Sequence, residues 1–462
     1  MRRISLWPVA AVVVILLAVK VALIDRVDTP LRRANLVDGR LRSVDVPAEI
    51  TFGDEFLLLG YDILPASVPS GERFEIQTYW RALQPGGPDY GVTINVVDAE
   101  GYRWNGAEIR PPRWHRAPPP VWEWPPDQYA IVALSVPLLP GTPPGDYTIE
   151  IVAFGRDTLA PLTAYDAGGR ALGPALPLGQ IAVAAPRRPA DPDELGIRNR
   201  LDAPLGPLLL LGADFDRDEA ASGDPVLLTT FWRAGEPPAD DLTLRLTLLA
   251  PDGSIAAEYK ETRFLRKQSD KNLVSSGDVW RGQRLLHLPA DLETAVYTWT
   301  VSLSPYPLVP LSSISITAPN RIFTPPPVDL EINTRLGDVA TLLGVTCELA
   351  NLQPGTPLTV TLVWRAEAET HISYNVFLHL TAPDGTLMAQ SDGVPANWTR
   401  PTTGWLLGEY ISDARVLTIP PDVPVGDYTL SAGLYAPGDG RLAAEDGSDA
   451  IFLIAIPVQA HQ

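Results

Sequence analysis

LLLGYDILPASVPSGERFEIQTYWRA (57–82), LLLGADFDRDEAASGDPVLLTTFWRA (209–234) and LLGVTCELANLQPGTPLTVTLVWRA (342–366) decide the fold, because they are one pattern written three times. Gly60 and Trp80, Gly212 and Trp232, and Gly344 and Trp364 are each 20 residues apart. From each Trp to a later turn glycine (Gly101, Gly253, Gly385) the separation is 21. The second and third copies share Ala-Pro-Asp-Gly at that turn, residues 250–253 and 382–385. Self-similarity at fixed spacing marks tandem copies of one structural unit. The copies start 152 and then 132 residues apart.

The first and third copies agree further along the chain. Trp124 precedes Tyr147 by 23 residues and Trp405 precedes Tyr428 by the same 23, with Tyr129 and Tyr410 at matching offsets. Both copies carry Gly-Asp-Tyr, at 145–147 and 426–428. The second copy is shorter here, with 17 residues from Trp280 to Tyr297 and no glycine before the tyrosine.

Hydrophobicity alternates with period 2 in all three copies. Val92, Ile94 and Val96 alternate with Thr93, Asn95 and Val97; Leu244, Leu246 and Leu248 with Arg245, Thr247 and Leu249; Val376, Leu378 and Leu380 with Phe377, His379 and Thr381. Such alternation predicts strands with one buried face. The strands ending at Trp80, Trp232 and Trp364 put the Trp on the face of Phe74, Val226 and Leu358, which predicts a tryptophan packed between two sheets. Proline is about twice its usual share at 48 of 462 residues, and proline is hostile to helix interiors and central strands. The chain therefore reads as all-β: three tandem β-sandwich domains over 45–185, 205–322 and 335–460, joined by Pro-rich, charged linkers at 25–46, 186–207 and 325–338.

On these residues the array resembles the immunoglobulin-like or fibronectin-like β-sandwich repeats of bacterial surface proteins. The tyrosine opening a late strand (Tyr147, Tyr297, Tyr428) is similar to the tyrosine corner of that fold. The chain is also similar to the uncharacterised sandwich modules that trail some bacterial membrane glycosyltransferases. The resemblance covers residues 45–460; it implies the immunoglobulin-like fold and says nearly nothing of function.

Ahead of the repeats, Met1-Arg2-Arg3 is followed by an apolar stretch from Ile4 to Ile24 broken by Lys20 alone. About 20 apolar residues cross a bilayer as a helix, and Lys20 is placed to snorkel to the interface. Residues 1–25 thus read as one transmembrane membrane anchor. A cleaved signal peptide is the rival reading, but no Ala-x-Ala site closes the stretch. Arg2 and Arg3 favour a cytoplasmic N-terminus, while Arg26, Arg32 and Arg33 follow on the other side. The bulk of the chain is expected to be extracytoplasmic.

The net charge of −19 and the lack of a basic stripe argue against nucleic-acid binding. One cysteine, Cys347, excludes an intramolecular disulfide; its apolar surroundings read as a buried small hydrophobe. The five histidines (His115, His287, His371, His379, His461) have no metal-ligand spacing, and His379 falls on the strand face expected to be solvated. Asp214, Asp216, Asp218 and Glu219 could ligate Ca²⁺, but the glycine turn and distal glutamate of a calcium loop are missing, so a solvated acidic loop is expected. No nucleophile elbow, phosphate loop or dinucleotide fingerprint occurs. No catalytic residue, cofactor or metal is expected.

The aromatic loops are the candidate sites. The first copy inserts a proline-rich segment with Trp114, His115, Trp122 and Trp124, and the third carries Asn397-Trp398-Thr399-Arg400 and Trp405. Exposed tryptophans stack on sugar rings or anchor partner proteins; the structural alternative is that they cap the open end of the sandwich. Trp114, Trp122, Trp124 and Trp398 are the ligand-binding candidates. The sequence reads as a non-catalytic, membrane-anchored extracytoplasmic binding or scaffold protein of the cell envelope, with an envelope protein or glycan as partner. The alternative is a carbohydrate-binding accessory to an envelope glycan enzyme or glycosyltransferase.

Overall fold

The three Gly-to-Trp stretches each fold as a pair of long antiparallel strands, and the rest of each copy builds outward from that pair. The computed structural model describes residues 7–20, 36–42, 44–65, 67–84, 89–106, 129–236, 242–261, 276–347, 354–421, 423–424, 426–437 and 440–458. A helix, α1 (Trp7–Val19), is followed by the hairpin β1 (Leu36–Val37) and β2 (Arg40–Leu41). The first copy contains β3 (Val46–Phe52), β4 (Phe56–Leu64), β5 (Ser67–Pro69), β6 (Arg73–Ala82), β7 (Tyr90–Val97), β8 (Ala130–Pro137), β9 (Gly145–Gly155), β10 (Ala164–Tyr165), β11 (Ala171–Gly173) and β12 (Leu176–Ala184). The second contains β13 (Arg200–Leu205), β14 (Leu208–Phe215), β15 (Glu219–Ala221), β16 (Pro225–Ala234), β17 (Thr243–Leu249), β18 (Ile255–Glu261), β19 (Val279–His287), β20 (Ala295–Ser304) and β21 (Val309–Thr317). The third contains β22 (Leu330–Leu336), β23 (Ala340–Cys347), β24 (Pro357–Ala366), β25 (Asn375–Thr381), β26 (Leu387–Gln390), β27 (Tyr410–Thr418), β28 (Gly426–Ala436), β29 (Gly440–Arg441) and β30 (Ile451–Val458).

Each copy makes two sheets. In the second copy these are β13-β14-β16-β19 and β15-β21-β20-β17-β18. The first copy repeats the order as β3-β4-β6-β8, extended by β10 and β11, and β5-β12-β9-β7. The third has β22-β23-β24-β27, and β26-β25-β28 with β30 also on β28. Each hydrophobic core draws on both sheets of its copy: in the first, Leu58, Trp80 and Val136 come from one sheet and Ile94, Ile149 and Ile181 from the other. The tryptophans predicted for the core, Trp80, Trp232 and Trp364, are completely buried. The indoles of Trp80 and Trp232 donate to Thr78 and Thr230 at 2.8 Å, so burying the polar edge of the ring leaves no lost hydrogen bond.

The shared glycines have distinct causes. A Cβ on Gly60, Gly212 or Gly344 would stand 2.6, 2.5 or 2.4 Å from a carbonyl oxygen of the preceding strand segment (Val46, Asn199, Leu330). Each lies at a register shift between its strand and the next, so only glycine admits the crossing. Gly101, Gly253 and Gly385 instead sit at φ of +84°, +83° and +86° in turns, a region that L side chains avoid. The tyrosines tie the late strand to the loop before it. Tyr147, Tyr297 and Tyr428 donate from their hydroxyls to the carbonyls of Pro143, Glu293 and Pro424, at 2.7, 3.2 and 2.7 Å.

Two expectations are corrected. The segments read as linkers contain regular structure: β13 and β22 lie inside them, and pair with β14 and β23 as sheet edges. Their charges, such as Asp202 and Glu331, suit an edge strand exposed on one side, which is why they resemble linker. The face carrying His379 is also not open. Thr247 and Phe377 on it are buried, and the His379 side chain is only 13% exposed. Phe377 lies over the backbone of Gly433 opposite it, where a Cβ would meet the ring at 2.5 Å, and the Arg441 guanidinium lies over that ring at 4.2 Å.

Successive copies touch through specific bonds. Arg281 on β19 donates from Nε to Pro140 at 2.8 Å and from Nη2 to Leu195 at 3.0 Å, while its backbone amide donates to Gly141 at 2.8 Å. The Leu285 amide donates to the Tyr102 hydroxyl at 2.9 Å. The first copy thus caps donors on the outer edge of β19. Between the second and third copies, Thr403 Oγ1 donates to Gly223 at 2.8 Å, and the Tyr410 amide to Ile322 at 2.7 Å.

Candidate functional site

Trp398 is the candidate residue that the structure describes. Trp114, Trp122 and Trp124 lie outside the described residues. Both tryptophan-bearing segments occupy the same connection, the one leading into β8 in the first copy and into β27 in the third.

The loop bearing Trp398 is built on charges that break the strand pattern. On β27 the inward positions are Ile411, Asp413, Arg415 and Leu417, all buried. Asp413 and Arg415 form an ion pair at 2.8 Å with side chains 0% and 6% exposed. An isolated buried charge is very costly, so both ends need further partners. The loop supplies them. Arg415 donates to the carbonyls of Ser391, Gly393 and Val394 at 3.2, 2.9 and 3.2 Å, and Asp413 accepts from the Ala396 amide at 2.8 Å. Burial pushes the Asp413 carboxyl above its usual range, against the opposing pull of Arg415 and the Ala396 amide.

Clamped in this way, the chain turns through three consecutive left-handed residues, Ala396, Asn397 and Trp398, at φ of 51°, 52° and 69°. Such residues cost roughly 1–2 kcal/mol each outside glycine, and strain of this kind concentrates at functional sites. The turn holds the Trp398 side chain 68% exposed, with one edge of its ring against Gly393. A fixed, exposed indole offers a flat apolar face for stacking on a sugar ring or seating in a partner's pocket.

The neighbouring tryptophans behave otherwise. Trp405 is 1% exposed, belongs to the hydrophobic core of the third copy and donates to the Arg400 carbonyl at 3.0 Å. Trp104 is buried and donates to Asp98 at 2.9 Å. Two residues past Trp398, Arg400 donates to Glu409 at 2.6 Å, and the other oxygen of that fully buried carboxylate takes Arg321 at 2.6 Å. Arg321 also donates to Gly404 at 3.0 Å, to Ser222 at 3.1 Å and to the Ala290 carbonyl, so the loop is tied into the joint with the second copy.

Among the described residues no group of three or more His, Cys, Asp or Glu side chains is placed to hold a metal. Asp214 is engaged by the amides of Arg198 and Asn199 at 3.0 and 2.8 Å, and Asp216 by the Leu227 amide at 2.9 Å, so these carboxylates of the acidic loop serve the fold. Cys347 is half-buried, and burial with the charge of Asp329 pushes its thiol up, away from the reactive thiolate. A cleft of about 250 Å³ lies beside the first joint, lined by Arg198, Asp214, Phe231 and Arg281 among others. Burial lowers Arg281 to about 10, and its guanidinium already serves the joint.

The sequence reading missed Asp413, Arg415, Glu409, Arg281 and Arg321. A signal for the first two was available: carboxylate and guanidinium stand at consecutive inward positions of a strand whose other inward residues are Ile and Leu. The joint residues had no such signal, since their partners come from other copies. No known protein family and no curated protein matches the chain.

Proposed function

We propose that this chain is a non-catalytic, membrane-tethered binding protein of the cell envelope, in which immunoglobulin-like β-sandwich repeats present a ligand site on the third repeat. The observation that carries the reading is Trp398, held exposed by a strained turn that a buried ion pair clamps. A side chain kept in water at such expense is explained by something that covers it.

Three features support the rest. In the first and second copies a short strand pairs in parallel with the last strand (β5 with β12, β15 with β21), and all three copies have the tyrosine-to-carbonyl bond of an immunoglobulin-like corner. The bonded joints favour a semi-rigid array that holds the third repeat away from its tether. In α1, Val12 to Leu17 are all 49–65% exposed, so this apolar helix needs apolar surroundings. Among the described residues no helix is long and apolar enough to cross a membrane; α1 at 13 residues spans about 20 Å. The apolar sequence from Ile4 to Ile24 supports a longer span, and with it an extracytoplasmic placement of the repeats.

A second reading, carbohydrate binding as an accessory to an envelope glycan enzyme, is favoured by the indole's flat open face. Full-length protein in detergent on an array of envelope glycans tests it: binding that Trp398→Ala abolishes supports the sugar reading, and no binding to any glycan sinks it. Anchoring is tested separately. The chain should resist alkaline carbonate extraction and be cleaved by protease added outside intact spheroplasts; release by carbonate, or full protection, would overturn the tether.

A further inference from the structure

We propose that the joint between the second and third repeats is a proton-sensitive latch, closed while His287 is neutral and weakened when His287 takes up a proton beside His371. His287 ends β19 in the second repeat. His371 lies in the loop of the third repeat between β24 and β25. Their rings face each other across the joint with centroids 6.2 Å apart at 50°. The Nδ1 atom of His287 is buried without a hydrogen-bond partner.

Several groups beside His287 are neutral or already paired, and Asp224, just before β16, accepts from the Ala221 amide at 2.8 Å. On β16 the residue opposite is Pro225. From β18, the Tyr259 hydroxyl donates to the His287 carbonyl at 2.6 Å, and burial pushes that phenol up to about 12, so it carries no charge in the working range. Glu261 on β18 is ion-paired with Arg284 of β19. Further into the joint, Arg321 and Arg400 share Glu409.

Burial, and then the charge of His371, hold His287 below its ordinary value of 6.5. The closed joint therefore binds fewer protons than the open one. Closure is fully present above pH 6.5 and is lost as pH falls through and below that value. The rest of the joint is tight enough to transmit the change: a Cβ on Gly223 of the second repeat would stand 2.1 Å from Gly404 of the third. Little separation is needed to break that packing and the bond from Thr403 to Gly223.

Hydrogen exchange by mass spectrometry on the full chain in detergent micelles tests the latch. Peptides over 219–226 and 400–410 report the joint, and a peptide over 74–82 serves as the control after correction for intrinsic rates. Between pH 7.5 and 5.5 the joint peptides should lose protection by at least ~3-fold relative to the control. That is the factor Coulomb repulsion gives for two unit charges 6.2 Å apart even at the dielectric constant of water. His287→Gln should abolish the loss, and His371→Gln, on an exposed loop, should fold normally and reduce it, because burial still lowers His287. Unchanged protection in the wild type overturns the proposal, as does an equal loss in His287→Gln, which would assign the pH response to another group; an undiminished loss in His371→Gln overturns the part given to that ring.

Discussion

Glu409→Gln isolates the charge that fastens the Trp398 loop to the joint. Glu409 is fully buried and accepts three bonds: from Arg400 at 2.6 Å, from Arg321 at 2.6 Å and from the Leu406 amide at 3.0 Å. Glutamine keeps the volume but offers a single acceptor oxygen, so at least one guanidinium meets an N–H group instead. Removing one partner of a buried ion pair costs about 3–5 kcal/mol, because the remaining charge stays buried. Arg321 and Arg400 are 13% and 15% exposed and Arg321 keeps carbonyl acceptors, so the lower end applies, about 3 kcal/mol. At about 1.4 kcal/mol per tenfold this is a loss of protection on the order of 150-fold. Hydrogen exchange of peptides spanning β24 and β27 measures it, with β6 and β9 of the first repeat as reference. The reasoning is refuted if protection in the third repeat falls by less than about 5-fold, or if the first repeat loses as much.

Other outcomes follow from single contacts. Gly212→Ala should destabilise the second repeat by about 1–3 kcal/mol in urea titrations, because the new Cβ would stand 2.5 Å from the Asn199 oxygen and 2.3 Å from Ile197; an unchanged midpoint would contradict the crossing constraint. Tyr428→Phe should cost about 1 kcal/mol by removing the bond to Pro424, and Tyr147→Phe about the same in the first repeat. For Asp413, the folded carboxyl binds its proton more tightly than the unfolded one. The contribution of that group is therefore fullest below pH 3.8 and is lost as pH rises through its raised folded value. The stability of the wild type relative to Asp413→Asn should accordingly improve on acidification; a pH-independent difference would show that the carboxyl is not perturbed.

The sequence by itself determined the three copies, their strands and their cores. Period-2 alternation is a local property, and the recurring Gly, Trp and Tyr were legible because each has one structural use that every copy repeats. Trp80, Trp232 and Trp364 are buried as their strand register requires, and Gly101, Gly253 and Gly385 sit where a turn needs a positive φ. Tertiary structure alone decided which residues join one copy to the next and which aromatic stays exposed. Trp398 and Trp405 lie seven positions apart in one loop, and composition cannot tell that the first is 68% exposed and the second 1%. The difference arises from Arg415, which donates to the loop carbonyls, and Asp413, which accepts from the Ala396 amide at the start of the left-handed turn. Arg281, Arg321 and His287 read as ordinary strand or linker residues, because the groups that give them a role come from another copy. Contacts of that kind depend on how whole sheets are placed, and no periodicity in the chain encodes them.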